Sequence, residues 1–103
     1  MRPPIVFIPN KSSHDFSDAH RFGDLVFLTV GTVKRYNTNS LYREMIDGLA
    51  GAEPQDYLLV SSLSILNLLA AAILSRKFGR LNLLLYCNGV YVERIVEIDA
   101  LLD

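Results

Sequence analysis

Residues 57–78 read Tyr57-Leu58-Leu59-Val60-Ser61-Ser62-Leu63-Ser64-Ile65-Leu66-Asn67-Leu68-Leu69-Ala70-Ala71-Ala72-Ile73-Leu74-Ser75-Arg76-Lys77-Phe78. From Tyr57 to Ser75 there is no charge, and Asp56 on one side faces Arg76, Lys77 and Arg80 on the other, as at the ends of a membrane span. The pair Ser61-Ser62 decides against a span. It divides the stretch into a strand-like Tyr57–Val60 (β3) and a helix-like Leu63–Phe78 (α2). At 1.5 Å per residue that helix is about 24 Å long, against a hydrocarbon core of about 30 Å. A buried strand feeding a buried helix is the first half of a β-α-β unit, the element from which parallel sheets are built.

The flanks agree with this reading. Ser62 is a natural N-cap for α2, Gly79 suits its C′ position, and Arg76 and Lys77 sit in the last turn, where cations favour the helix dipole. Leu63, Leu66, Leu69, Ala70 and Ile73 form one side, and only a thin stripe of Ser64, Asn67, Ala71 and Ser75 the other, so α2 is expected to be buried nearly all round. Leu81–Cys87 then makes β4. Asn88-Gly89 is the preferred type I′ turn, and the alternation of Val90, Val92, Val96 and Ile98 with Tyr91, Glu93, Glu97 and Asp99 predicts an antiparallel, half-exposed β5. Arg94 interrupts the apolar side, which places it at a sheet margin or against a carboxylate.

Upstream, Ile5–Ile8 between Pro4 and Pro9 reads as a short buried strand, β1. Leu25–Val30 is β2, able to continue past Gly31 to Val33. Thr38-Asn39-Ser40 caps a helix, α1, with Leu41, Tyr42, Met45, Ile46 and Leu49 at one-turn spacing and Gly51 and Pro54 at its end. The segment from Asn10 to Asp24 is long for a structureless loop, so Asp15–Phe22 is expected to form a short helix anchored by Phe16 and Phe22, or the segment is functional. The order predicts a single α/β domain over residues 1–103. It is a small Rossmann-like, mostly parallel sheet with two main helices and a C-terminal β-hairpin at one edge.

Composition bounds the partners. Ten Lys and Arg against eleven Asp and Glu, without a block of like charge, exclude an extensive nucleic-acid or anionic-membrane surface. The lone Cys87 forms no intramolecular disulfide, and Met1-Arg2-Pro3-Pro4 does not lead into a signal-peptide core, so a cytoplasmic protein is expected. The apolar α2 suggests a homo-oligomer, with a homodimer weighed evenly against a monomer.

In parallel α/β sheets, ligands bind at the carboxyl ends of the strands. That rim holds Lys11, Ser12, Ser13, His14 and Asp15 after β1, Thr32, Lys34 and Arg35 after β2, and Ser61, Ser62 and Ser64 after β3. Hydroxyls and free N–H groups at the start of α2, with Lys11 or Arg35 adding charge, would suit an anion, although capping alone explains Ser62. Neither G-x-G-x-x-G nor G-x-x-x-x-G-K-[ST] is present. His14, Asp15 and Asp18 are acid-base candidates, but with His20 they match no metal-ligand framework, so neither metal nor cofactor is expected. No nucleophile elbow accompanies Ser12 or Ser13. Tyr86 and Tyr91 flank the hairpin turn, where they stabilise a cross-strand pair or stack on a base or a partner.

The runs Asp56-Tyr57-Leu58-Leu59-Val60-Ser61-Ser62, Phe78-Gly79-Arg80-Leu81-Asn82-Leu83-Leu84-Leu85 and Gly89-Val90-Tyr91-Val92-Glu93-Arg94 resemble small α/β open reading frames of tailed bacteriophages. The resemblance covers the chain from about Asp56 onward and implies a viral accessory role without carrying a mechanism. The expected function is a non-enzymatic binding module engaging a protein or a small anionic ligand at the strand rim. An enzyme acting on a phosphate-containing small molecule or nucleotide is the first alternative, and a structural virion protein is the second. His14 beside Ser61 with a concave pocket between them would favour the enzyme.

Overall fold

The computed structural model describes residues 2–34, 36–61 and 63–99. Its elements are β1 (Ile5–Ile8), a 3-10 helix (Ser17–Arg21), β2 (Asp24–Phe27), α1 (Thr38–Gly48), β3 (Tyr57–Leu59), α2 (Ser64–Phe78), β4 (Arg80–Cys87) and β5 (Val90–Glu97). The five strands form one sheet in the order β2-β1-β3-β4-β5, the first four parallel and β5 antiparallel at the edge. This is the mostly parallel α/β architecture with two helices and an edge hairpin that the sequence predicts. Asn88 (φ 50°) and Gly89 (φ 88°) carry the two left-handed positions that a type I′ turn requires.

The chain steps one way along the sheet from β1 to β2 and the other way from β2 to β3 and from β3 to β4. Right-handed connections therefore put the 3-10 helix on one face and both α-helices on the other. Side-chain alternation follows. Phe7 and Leu58 meet Leu41, Met45, Leu49, Leu66, Ala70, Ile73 and Leu74 on the helical face. Val6, Ile8, Leu59, Leu84 and Tyr91 meet Phe16 and Ala19 on the opposite face.

Several boundaries depart from the sequence reading. β2 stops at Phe27, where Pro9 has no N–H to give the ladder; beyond it Leu28 and Thr29 N–H still donate to the Ile8 and Pro9 carbonyls, and Lys11 N–H to Thr29 C=O, with only an isolated Lys11–Val30 bridge. The N-cap position of α2 falls on Leu63, with no side-chain cap bond, and Ser62 lies outside the described residues. α2 is not buried all round. Leu66, Ala70, Ile73 and Leu74 face the sheet and α1, whereas Leu68 is 67% exposed on the far side, since a lone pair of helices leaves their outer face to solvent. Tyr91, expected on the polar side of β5, is 1% exposed because the 3-10 helix covers it. Arg94 is exposed opposite Leu83 and donates to the Glu93 carbonyl, a position at the sheet margin.

Two polar ties hold the ends of the layers. Lys77 Nζ donates to the carbonyls of Leu49 (3.0 Å) and Ala50 (3.4 Å), which satisfies acceptors left at the end of α1. Asp56, just before β3, accepts from the amides of Ile5 and Glu53 and from both terminal nitrogens of Arg2, so the start of β1 is fastened to the start of β3. No helix among the described residues is long and apolar enough to cross a membrane.

Candidate functional site

Between β1 and β3 the connections leave in opposite directions along the sheet, to β2 on one side and to β4 on the other. Such a switch point opens a crevice beyond the strand carboxyl ends. A cavity of about 230 Å³ lies there, lined by Ser12, His14, Phe16, Leu59, Val60, Ser61, Tyr86 and Tyr91. Three segments build it: the loop after β1, the end of β3, and the two strands beside the hairpin turn.

Four rings form its walls. His14 stands edge-on to Phe16 at 5.1 Å and to Tyr86 at 5.0 Å between centroids, with interplanar angles of 65° and 84°. Tyr86 and Tyr91, paired across the hairpin, are 5.3 Å apart at 62°. His14 Nε2 and the Tyr91 hydroxyl share a hydrogen bond at 3.0 Å, its direction set by the imidazole tautomer. Burial, and after it Tyr86, Asp15 and Asp18, push the Tyr91 hydroxyl up to about 12, so it keeps its proton at neutral pH.

The polar rim is held by its own scaffold. Asn67, one turn into α2, accepts from Ser61 N–H at 3.0 Å and donates from Nδ2 to Ser61 C=O at 2.6 Å, locking the exit of β3. Ser12 Oγ accepts from His14 N–H at 3.3 Å. Asp15 accepts from Ser17 N–H, a bond that holds its carboxyl below the ordinary range. Asp18 is held low in the same way, first by Tyr91 N–H at 2.7 Å and then by Arg21. Arg21 in turn donates to Tyr91 C=O, so Asp18 and Arg21 together pin the 3-10 helix to β5.

The proposed rim therefore divides. Ser12, His14 and Ser61 meet at the aromatic cavity, with Asp15 and Asp18 behind it in structural roles. Lys34 and Thr32 line a separate hollow of about 240 Å³ beside Asn37, Ser40 and Glu44. Lys11 lies 5.5 Å from the centre of the Phe27 ring, and Ser13 and Ser64 are exposed outside the cavity lining. Arg35 and Ser62 lie outside the described residues. Among the described residues no three His, Cys, Asp or Glu side chains gather closely enough to hold a metal ion. Sequence reasoning missed Asn67 as the rim's anchor. It paired Tyr86 with Tyr91 across the Asn88-Gly89 turn but did not bring that pair, or Phe16, to the rim of His14 and Ser61.

A family model described as Phage Pam3 gp32-like protein matches residues 4–98, from the start of β1 to just past the end of β5. No curated protein and no solved structure matches the chain. The phage resemblance read from Asp56 onward thus extends through the N-terminal half, and the family description names a phage and no activity. The chain belongs to the Phage Pam3 gp32-like protein family.

Proposed function

We propose that this protein is a small non-enzymatic binding module, working in the host-cell cytoplasm, that seats a protein partner's side chain or a small ligand in the aromatic cavity at the β1–β3 switch point. The observation that carries this reading is the convergence of His14 and Phe16, from the loop after β1, with Tyr86 and Tyr91, from the two hairpin strands, on one concave site. At about 230 Å³ the site is smaller than the roughly 300–1,000 Å³ of drug-sized pockets, which suits a single ring or head group better than a whole nucleotide.

His14 and Ser61 do line one cavity, the arrangement that an enzyme would need. The rest of such a constellation is engaged elsewhere. Among the described residues the Asp15 and Asp18 carboxylates bond to Ser17, Tyr91 and Arg21, so neither orients His14 as a base. A thermal-shift panel of nucleotides, sugar phosphates, amines and aromatic fragments, run on wild type and Ser12→Phe, tests the module. A ligand at a hundred times its Kd stabilises the native state by about 2.7 kcal/mol. Shifts in wild type that vanish in Ser12→Phe support the reading, and shifts that persist in the blocked variant contradict it.

A second reading, assembly with another copy of the chain, draws on the hollow of about 470 Å³ between α1 and α2, where Tyr42 and Ile46 stay exposed beside Ile73. Light scattering tests it, with Ile46→Glu expected to turn a dimer into a monomer.

A further inference from the structure

Resting on the cavity being the binding site, we propose that it is a cage for an organic ammonium group, either a small free amine or quaternary ammonium, or the tip of a lysine on a partner. Aromatic faces carry negative charge density, and a cation within about 6 Å of a ring centre is attracted to it. Here four rings line one volume and the planes of the contacting pairs meet at 62–84°, so none of those pairs forms a parallel slot. Tetrahedral ammonium groups are recognised by walls of that kind, whereas a planar base calls for parallel surfaces.

The charges behind the walls act in the same sense. Asp15 and Asp18 lie close enough for their field to reach the Tyr91 hydroxyl and disfavour its ionisation. Arg21 bonds to Asp18, but Asp15 has no ion-pair partner among the described residues. The nearest lysine of the loop, Lys11, is directed over Phe27, and among the described residues the lining holds neither Lys nor Arg. An anion would want the free N–H groups at the end of β3, and the first of these, Ser61 N–H, is already donated to Asn67 Oδ1. The serine hydroxyls of Ser12 and Ser61 remain as acceptors for the hydroxyl or N–H of an ammonium ligand.

NMR titration separates charge from shape. Choline is compared with its uncharged isostere, in which carbon replaces the quaternary nitrogen, and with N-acetyl-lysine amide. Choline or the lysine derivative should shift the resonances of His14, Ser61, Tyr86 and Tyr91 and bind about 5-fold or more tightly than the isostere. The tighter of the two cations tells a small-molecule source from a partner lysine. Tyr86→Leu, at a side chain 54% exposed, exchanges a π wall for an aliphatic one, and should weaken the cations about 5-fold while leaving the isostere within about twofold. An isostere that binds as well as choline overturns the cage and leaves the cavity as a neutral site. Absence of shifts at these four residues with all three probes overturns the cage, and absence of any Ser12-dependent thermal shift across the wider panel overturns the binding site as well.

Discussion

Replacing Asp56 by Ala should cost this fold more stability than any other exchange of a polar side chain for Ala, because one carboxylate fastens three segments. Its Oδ1 accepts from Ile5 N–H at 2.8 Å and from Arg2 at 2.7 Å, and its Oδ2 accepts from Glu53 N–H at 2.8 Å and from Arg2 at 2.6 Å. The side chain is 1% exposed. In Asp56→Ala two partly buried backbone amides lose their acceptor at about 1–3 kcal/mol each, and the partly exposed Arg2 returns to water. We expect a loss of about 2–4 kcal/mol, or a fall in Tm of roughly 10–25 °C for a domain of this size. Urea unfolding followed by circular dichroism measures it directly, with the midpoint shifting and the slope unchanged. A loss below about 0.5 kcal/mol, the range of ordinary surface substitutions, would refute the reasoning. The pH dependence supplies a second check. Burial raises the Asp56 pKa, but Arg2 and the amides of Glu53 and Ile5 together outweigh it and leave the carboxyl below its ordinary 3.8. A depressed folded pKa gives stability that is present above the unfolded value and lost as pH falls through the folded one. The gap between wild type and Asp56→Asn should therefore be constant above about pH 4 and narrow in more acidic solution.

Asn67→Ala should lower stability by about 1–2 kcal/mol and speed amide exchange at Ser61, whose N–H and C=O both bond to that side chain. Gly79→Ala places a side chain at φ 67° and drives its Cβ into the Asp99 carboxylate. A loss of at least about 1 kcal/mol is expected in denaturant melts, and adding Asp99→Ala should recover the steric part but not the backbone part. The Tyr57 hydroxyl donates to Glu93, and that bond, with burial, pushes it up to about 12 from 10.0. The raised pKa stabilises the fold fully below pH 10 and the contribution disappears as pH rises through about 12; ultraviolet titration of Glu93→Gln should show Tyr57 ionising earlier.

Much of this architecture is written in local pattern. The division of the uncharged run from Tyr57 into a strand and a helix, the Gly79 stop and the Asn88-Gly89 turn each act through neighbouring residues, and the strand, the helix, the stop and the turn all appear in the structure. Strand order is not local. That β1 lies between β2 and β3 depends on contacts such as Asp56 with Ile5 and Arg2, more than fifty residues apart, which no periodicity announces. The site was half legible for the same reason. Its residues after β1 and β3 follow from the rule that ligands sit at strand carboxyl ends, and the Tyr86–Tyr91 pair follows from turn length. Their meeting depends on the 3-10 helix lying on the face opposite α1 and α2, which buries Tyr91 and reverses the expected sides of β5 at that point. The same rule groups Lys34 with this rim, yet β2 lies on the other side of β1 from β3 and carries Lys34 to a different hollow.

Mapping ligand-induced shifts over the whole chain locates the binding site without assuming where it lies. Isotope-labelled protein is titrated with a set of cationic, neutral aromatic and phosphate fragments, and every assigned amide and aromatic resonance is followed. Saturable shifts are expected to gather at Ser12, His14, Ser61, Tyr86 and Tyr91, the residues brought together at the β1–β3 switch point. Saturable shifts gathered instead around Thr32, Lys34 and Glu44, or along Tyr42, Ile46 and Ile73, with the aromatic cavity unmoved, would contradict that placement.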